Sequence, residues 1–160
     1  MAALACGFCA HAAPATPPSD PYAALKVFGG NWVGVGADGK VTPVENRCAQ
    51  TGLFFVCEQI ASGKAQGLIV FKPDGPTAKG EAYIVQTLDT VGRPPGPWRA
   101  LTIEGTRWTF TNADPPGAKS VKERTVNEYL GPDHIHYEVQ QSETGKEWTT
   151  IRSGDERRAP

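Results

Sequence analysis

Ten strand-like runs follow one another along the sequence, and they restrict the chain to a small set of folds. Each run is rich in β-branched and aromatic residues, and turn-forming Gly, Pro, Asn and Asp residues separate it from the next. The runs span residues 31–36, 41–48, 53–60, 68–72, 81–88, 98–103, 106–111, 121–130, 134–141 and 147–153. No helical pattern interrupts the series, so we expect each strand to pair antiparallel with the next one.

A meander of this length is expected to close on itself, because closure removes both exposed sheet edges. The sequence therefore predicts an all-β fold, an antiparallel up-and-down barrel of about ten strands. A short N-terminal helix is predicted over residues 21–28, where Pro21 suits the first turn. Since Tyr22 and Leu25 share one face of this helix, we expect it to pack on the barrel and close one end.

The composition fits one exported domain. The chain has 160 residues with 16 basic and 17 acidic side chains, and this balance gives no electrostatic footprint for nucleic acid or an anionic membrane. Residues 1–15 are small and apolar and resemble a secretory signal peptide, although no basic residue precedes Lys26. They are too few to span a bilayer. For a periplasmic or secreted protein we predict a signal peptide over 1–15, a linker and short helix over 16–30, the barrel over 31–153 and a tail over 154–160.

The four cysteines fall into two pairs. Cys6 and Cys9 form a C-x-x-C motif, but they lie in the predicted signal peptide and no strand precedes them, so we discount a redox pair. Cys48 and Cys57 flank a turn between two strand-like runs, where a hairpin would bring them face to face. In an exported protein this pattern predicts a disulfide, with two buried free thiols as the alternative.

The first strand carries the string G-x-W-x-G-x-G, from Gly30 through Trp32 and Gly34 to Gly36. A G-x-W near the start of the first strand resembles the calycin group, which includes the lipocalins and fatty-acid-binding proteins. The longer string resembles the opening of the nitrobindins, ten-stranded haem-binding barrels, and the strand order is similar to calycin-like proteins secreted by bacteria. The resemblance implies that Trp32 faces inward at the base and that a basic residue of the last strand packs over it. Strand counting makes Arg152 the candidate for that structural role.

The same resemblance and the strand alternation suggest a ligand site in the lumen or at its mouth. Gly34 and Gly36 lie on the face of Trp32 and would leave lumen volume, or they mark close strand packing without a cavity. The odd-numbered connections lie opposite the helix, which puts the mouth there, with Arg93 and Lys119 within reach. Arg124 would contact a ligand if it faces inward, and its alternative is a solvated face. The candidate ligand-binding residues are Trp32, Gly34, Gly36, Trp98, Ile103, Trp108, Phe110, Arg124 and Tyr137.

Little in the sequence indicates cofactor chemistry or catalysis. His134 and His136 share one side of a strand, but alternation with apolar residues turns them outward and two ligands do not make a structural zinc site, so no metal is predicted. Nitrobindins hold haem through a histidine late in the chain, and none follows His136, so haem is disfavoured. The nucleophile elbow, the H-E-x-x-H motif and the phosphate loop are missing, so no catalytic residue is predicted.

Three functional hypotheses follow. The first is a secreted or periplasmic lipocalin-like barrel that binds a small apolar ligand in its lumen. The second is a protein-binding barrel that resembles the small periplasmic protease inhibitors, which share the G-x-W and one disulfide, with residues 13–19 as its arm. The third is a small isomerase or cyclase that works inside the barrel.

Overall fold

The computed structural model describes residues 20–76, 81–90, 92, 94–112 and 121–160. The predicted signal peptide and N-terminal arm, Cys6, Cys9, Arg93 and Lys119 lie outside the described residues. A lead-in 3₁₀ helix covers Ala24–Phe28 and precedes all the strands. The strands are β1 Gly30–Gly36, β2 Val41–Thr51, β3 Phe54–Ala61, β4 Lys64–Pro76, β5 Glu81–Asp89, β6 Arg99–Glu104, β7 Arg107–Asn112, β8 Lys122–Gly131, β9 His134–Ser142 and β10 Thr149–Arg158.

The ten strands form one closed antiparallel barrel, which confirms the predicted fold. Each strand pairs with its neighbours in the sequence, and β10 returns to pair with β1. In this closing ladder Trp32 lies opposite Arg158, and Gly36 lies opposite Gly154. The odd-numbered connections therefore meet at one end, called the mouth here, and the lead-in helix lies at the other end, called the base.

Several strands extend beyond their predicted bounds, and the extensions of β4 and β10 are the largest. β4 begins at Lys64, because Gly67 interrupts the apolar run in the sequence but does not end the strand pairing. The φ of Gly67 is +156°, and a Cβ at this residue would overlap the carbonyl of Leu88. β10 continues to Arg158, so the predicted end at Ser153 is wrong and residues 154–158 belong to the barrel. Their charged side chains resemble a solvated tail, yet their backbone completes the pairing that closes the sheet.

The base of the barrel is closed by the lead-in helix, as predicted, although the helix is a single 3₁₀ segment of five residues. Tyr22 and Leu25 are buried, and the Tyr22 hydroxyl donates a hydrogen bond to the carbonyl of Leu53 at 2.6 Å. The Phe28 ring enters the barrel and meets the Trp108 ring edge to face, with ring centroids 5.1 Å apart. These contacts fasten the helix to the barrel interior.

Cys48 and Cys57 form a disulfide between β2 and β3, where the two residues lie directly opposite each other. The predicted pairing is therefore confirmed, on the base half of the barrel. Across the part of the chain that the structure describes, no helix has the length and apolar character needed to cross a membrane.

Candidate functional site

The interior of the barrel holds a cavity of about 560 Å³. It extends from Phe28 near the base to Asp38 and Lys40 in the turn between β1 and β2 at the mouth. Aromatic and aliphatic side chains make up much of its wall, and polar side chains from several strands interrupt them. The lining residues are Phe28, Gly34, Gly36, Asp38, Lys40, Thr42, Val44, Asn46, Cys57, Gln59, Ile69, Phe71, Val85, Thr87, Arg99, Phe110, Thr125, Asn127, Tyr137, Val139, Arg152 and Glu156.

Gly34 and Gly36 form one side of this cavity. A Cβ on Gly34 would meet the carbonyl of Thr42 at 3.6 Å, an ordinary contact, so the missing side chain leaves space rather than relieving a clash. A Cβ on Gly36 would lie 2.8 Å from a carboxylate oxygen of Asp38. The missing side chain therefore leaves space at Gly34, whereas at Gly36 a side chain would crowd the Asp38 carboxylate in the turn.

The floor of the lumen is built around Trp32, which is 2% exposed. Its indole N–H donates to the carbonyl of Phe28 at 3.2 Å, and the guanidinium of Arg158 lies 4.3 Å from its ring centroid. The basic residue that covers Trp32 is therefore Arg158, and the prediction of Arg152 is wrong. Arg152 lies opposite Val139, near the mouth, where it lines the cavity. The error follows from ending β10 five residues too early.

The other predicted ligand-binding residues lie at different heights in the barrel. Phe110 and Tyr137 line the cavity together with Gly34 and Gly36. Ile103 and Trp108 are buried opposite each other on β6 and β7 and, with Trp32, fill the base below the cavity.

Two candidates lie elsewhere. Trp98 is exposed just before β6, at the mouth and outside the cavity wall. Arg124 belongs to the outer face, because its neighbour Thr125 lines the cavity; its guanidinium lies 4.1 Å from the centroid of Trp148 and donates to Gln140. The predicted place of Arg124 in the lumen is therefore corrected.

Tyr137 lies flat against the wall because Gly154 faces it across the ladder. A Cβ on Gly154 would lie 2.7 Å from the Tyr137 hydroxyl oxygen and 2.5 Å from the carbonyl oxygen of Val35. Only glycine leaves room for both. Gly154 thus sets how far the phenol of Tyr137 reaches into the cavity.

Glu156 brings a carboxyl group into the deep half of the cavity. It lies between Gly34 on β1 and Ile135 on β9, one inward position above Arg158. Burial raises the pKa of Glu156 above its ordinary value, since water solvates the charged form poorly there. No hydrogen bond or ion pair joins its carboxyl to any other residue that the structure describes. The lumen is therefore less apolar than the sequence predicted.

Tyr129 contributes a second polar group without a partner. Its hydroxyl is buried and makes no hydrogen bond within the described residues. Its ring packs on Trp108, with centroids 4.6 Å apart. Burial raises the pKa of Tyr129 well above its usual range, and the negative charge of Glu156 adds to this effect. The two unpartnered groups are thus close enough to interact electrostatically.

His134 and His136 lie on the outer face, where both contact one carboxylate oxygen of Asp155, at 2.8 Å and 3.3 Å. Hydrogen bonds from these rings, that of His134 above all, lower the pKa of Asp155. Within the described ranges, no group of three or more His, Cys, Asp or Glu side chains is arranged to hold a metal ion.

Sequence reasoning missed Glu156, Asn127 and Arg99 as lining residues. A signal for Glu156 exists in the alternation of β10, where Arg152, Gly154 and Glu156 share one face. Extending the strand by five residues would have found it. For Asn127 and Arg99, polar residues at inward positions look the same in sequence as residues on a solvated face.

Neither a protein-family model nor a curated protein sequence matches this chain.

Proposed function

We propose that the protein is a secreted or periplasmic, calycin-like barrel that binds a small, mainly apolar molecule in its lumen. The observation that carries the proposal is the cavity of about 560 Å³ inside a closed barrel. This volume falls in the range of pockets that enclose small-molecule ligands, roughly 300 to 1,000 Å³.

The lining supports a mainly apolar ligand. Phe71, Phe110 and Val85 contribute to the wall, and the Phe28 ring forms part of its lower end. A few polar side chains among such residues are typical of sites that fix the orientation of a ligand. The glycines of β1 add to the argument, because bulky residues there would fill the space.

Export is supported by the disulfide between Cys48 and Cys57, since disulfides persist in oxidising compartments. The protein-binding alternative depends on residues 13–19, which lie outside the described residues, so no contact of the barrel argues for it.

A lumen-filling variant tests the proposal. Gly34→Leu places a side chain in the cavity, and Val35→Leu is the matched control, because Val35 is the next residue of β1 and faces the other side of the sheet. Each protein is titrated with N-phenylnaphthylamine, an uncharged fluorophore that brightens in apolar surroundings. We expect saturable binding to the wild type and to Val35→Leu, and its loss in Gly34→Leu.

Native mass spectrometry of the exported protein complements this titration, because a retained ligand adds a discrete mass. Equal fluorophore binding in the wild type and Gly34→Leu would contradict a lumen site. So would a wild type that binds neither the fluorophore nor a ligand from its host.

A further inference from the structure

We propose that Glu156 makes the lumen selective for molecules that join an apolar body to a protonated amine. This inference rests on the proposed function, since it names the chemical class of the ligand that the same cavity takes. Two observations support it: the position of one carboxyl group deep in the barrel, and the contacts that the residues around it already make.

The carboxyl of Glu156 has only the cavity in front of it. Its neighbours across the two ladders are Gly34, which has no side chain, and Ile135, which is apolar. Toward the mouth, the next inward position of β10 is Gly154. The residues directly opposite Glu156 therefore offer no donor, and the Tyr137 hydroxyl of β9 lies one inward position nearer the mouth, beside Gly154.

The nearest cation on the inward face of β10 already has partners. Arg158 donates to the carbonyl of Gly29 at 2.6 Å and to that of Val27 at 2.9 Å, while its guanidinium covers the Trp32 ring. These bonds hold the guanidinium at the base, and no hydrogen bond or ion pair joins it to Glu156 among the described residues. Arg158 thus serves the floor of the barrel and leaves the Glu156 carboxylate uncompensated.

An uncompensated carboxylate in a poorly solvated cavity is costly, and a cation beside it removes the cost. A protonated amine supplies both the opposite charge and three N–H donors. One donor can serve Glu156, and the Tyr129 hydroxyl oxygen, buried and unpartnered within the described residues, can accept another. The apolar body of such a ligand would then point toward Phe110 and Val85.

An anionic ligand is the competing chemistry, because Arg99 and Arg152 line the upper part of the cavity. Arg152 is exposed, so water already solvates its charge. An anionic head group near the mouth would also send its apolar tail toward the Glu156 carboxyl. The deep carboxyl therefore favours the amine.

Three probes with one apolar body separate these chemistries: phenylbutylamine, phenylbutanol and phenylbutyrate. Isothermal titration calorimetry of the full chain at neutral pH measures the affinity for each probe. We expect the amine to bind about tenfold or more tightly than the alcohol, the size of a charge-assisted hydrogen bond. Glu156→Gln should remove this preference for the amine over the alcohol.

Asp155→Asn is the matched control, because it removes one carboxylate from the adjacent residue on the outer face. It should keep the amine preference, which separates a contact with Glu156 from a change in net charge. Carbon-13 NMR of the wild type gives a reading that needs no variant: binding of the amine should lower the pKa of the Glu156 carboxyl.

Phenylbutyrate as the tightest probe, or an amine preference that survives in Glu156→Gln, would overturn the inference. If the alcohol binds, Gly34→Leu blocks it and the amine has no advantage, the inference fails while lumen binding stands. If none of the probes binds the wild type, or Gly34→Leu binds them equally well, the proposed function fails together with it.

Discussion

The guanidinium of Arg158 lies 4.3 Å from the ring centroid of Trp32, and this contact joins the two strands that close the barrel. Arg158 also donates to Val27 and Gly29, so one side chain holds the floor, the closing ladder and the lead-in helix together. A cation over an aromatic face and several hydrogen bonds from one charged group are each worth measurable stability.

Replacing Arg158 by Ala should therefore lower the free energy of unfolding by about 2 to 4 kcal/mol. Arg152→Ala is the comparison, because Arg152 is exposed near the mouth and its loss should cost no more than about 0.5 kcal/mol. Urea unfolding of the two variants measures the difference. Equal destabilisation would mean that the Trp32 contact contributes nothing specific.

Gly154→Ala should destabilise the barrel by about 1 to 3 kcal/mol, because the new methyl group meets the Tyr137 ring and the Val35 carbonyl. Gly34→Ala on the facing strand is the matched control. Its methyl group meets only ordinary contacts, and the loss of a glycine restricts the unfolded chain, so its stability should be equal or higher. Thermal unfolding checks both, and a Gly154→Ala variant as stable as the control would exclude the packing constraint.

Glu156→Gln should stabilise the ligand-free protein at neutral pH. Burial raises the pKa of Glu156 in the folded state, so its contribution to stability is complete at pH values below the unfolded pKa and is lost as pH rises through the folded pKa. The amide side chain of the Glu156→Gln variant avoids that loss of stability. In acid, the free energy of unfolding of the variant should approach that of the wild type. Unfolding curves at several pH values test this expectation. A stability difference between the variant and the wild type that does not change with pH would argue against a raised pKa of Glu156.

Asp155→Asn should show the opposite dependence on pH. Bonds from His134 and His136 lower the pKa of Asp155, so its contribution is present above the unfolded pKa and disappears as pH falls through the folded pKa. The site is partly exposed, which limits the loss at neutral pH to about 1 kcal/mol or less. The same unfolding series should show the two variants diverging near neutrality and converging with the wild type in acid.

Replacing both Cys48 and Cys57 by Ala should cost about 2.5 to 3 kcal/mol in the chain-entropy description of a short closed loop. Urea unfolding of oxidised wild type and the double variant measures the loss. Mass spectrometry before and after reduction and alkylation provides the control. Alkylation of both residues without reduction would show that the bond is not formed in the purified wild-type protein.

The strand content and closure were predictable because the turns are marked locally. Gly105, for example, separates two runs that pair tightly, and no helix intervenes to change the topology. The inward face of β1 could be assigned only through the resemblance of its G-x-W string to the calycin group, because alternation alone did not choose a face. The end of β10 could not, because the charged residues after Ser153 resemble a solvated tail, and their pairing depends on β1, far away in the sequence.

Site residues could be predicted where the residue type has a packing role in the barrel. The positions of the charged residues could not be predicted. Alternation indicated an inward face for Phe110 and Tyr137, and both line the cavity. Arg124 required knowledge of Trp148, which covers it on the outer face from a separate connection. Glu156 required both the true length of β10 and the fact that no described residue neutralises it.

The closing ladder has a consequence for the order of folding. β1 pairs with β10, and the bond from Arg158 to the carbonyl of Val27 spans 131 residues, so the barrel cannot close until the last strand has formed. Until then every nascent chain presents two open sheet edges, and contacts of such sequence separation form slowly. The steps most exposed to misassembly therefore precede the arrival of residues 149–158, and a chain truncated at Ser153 should remain an open, aggregation-prone sheet.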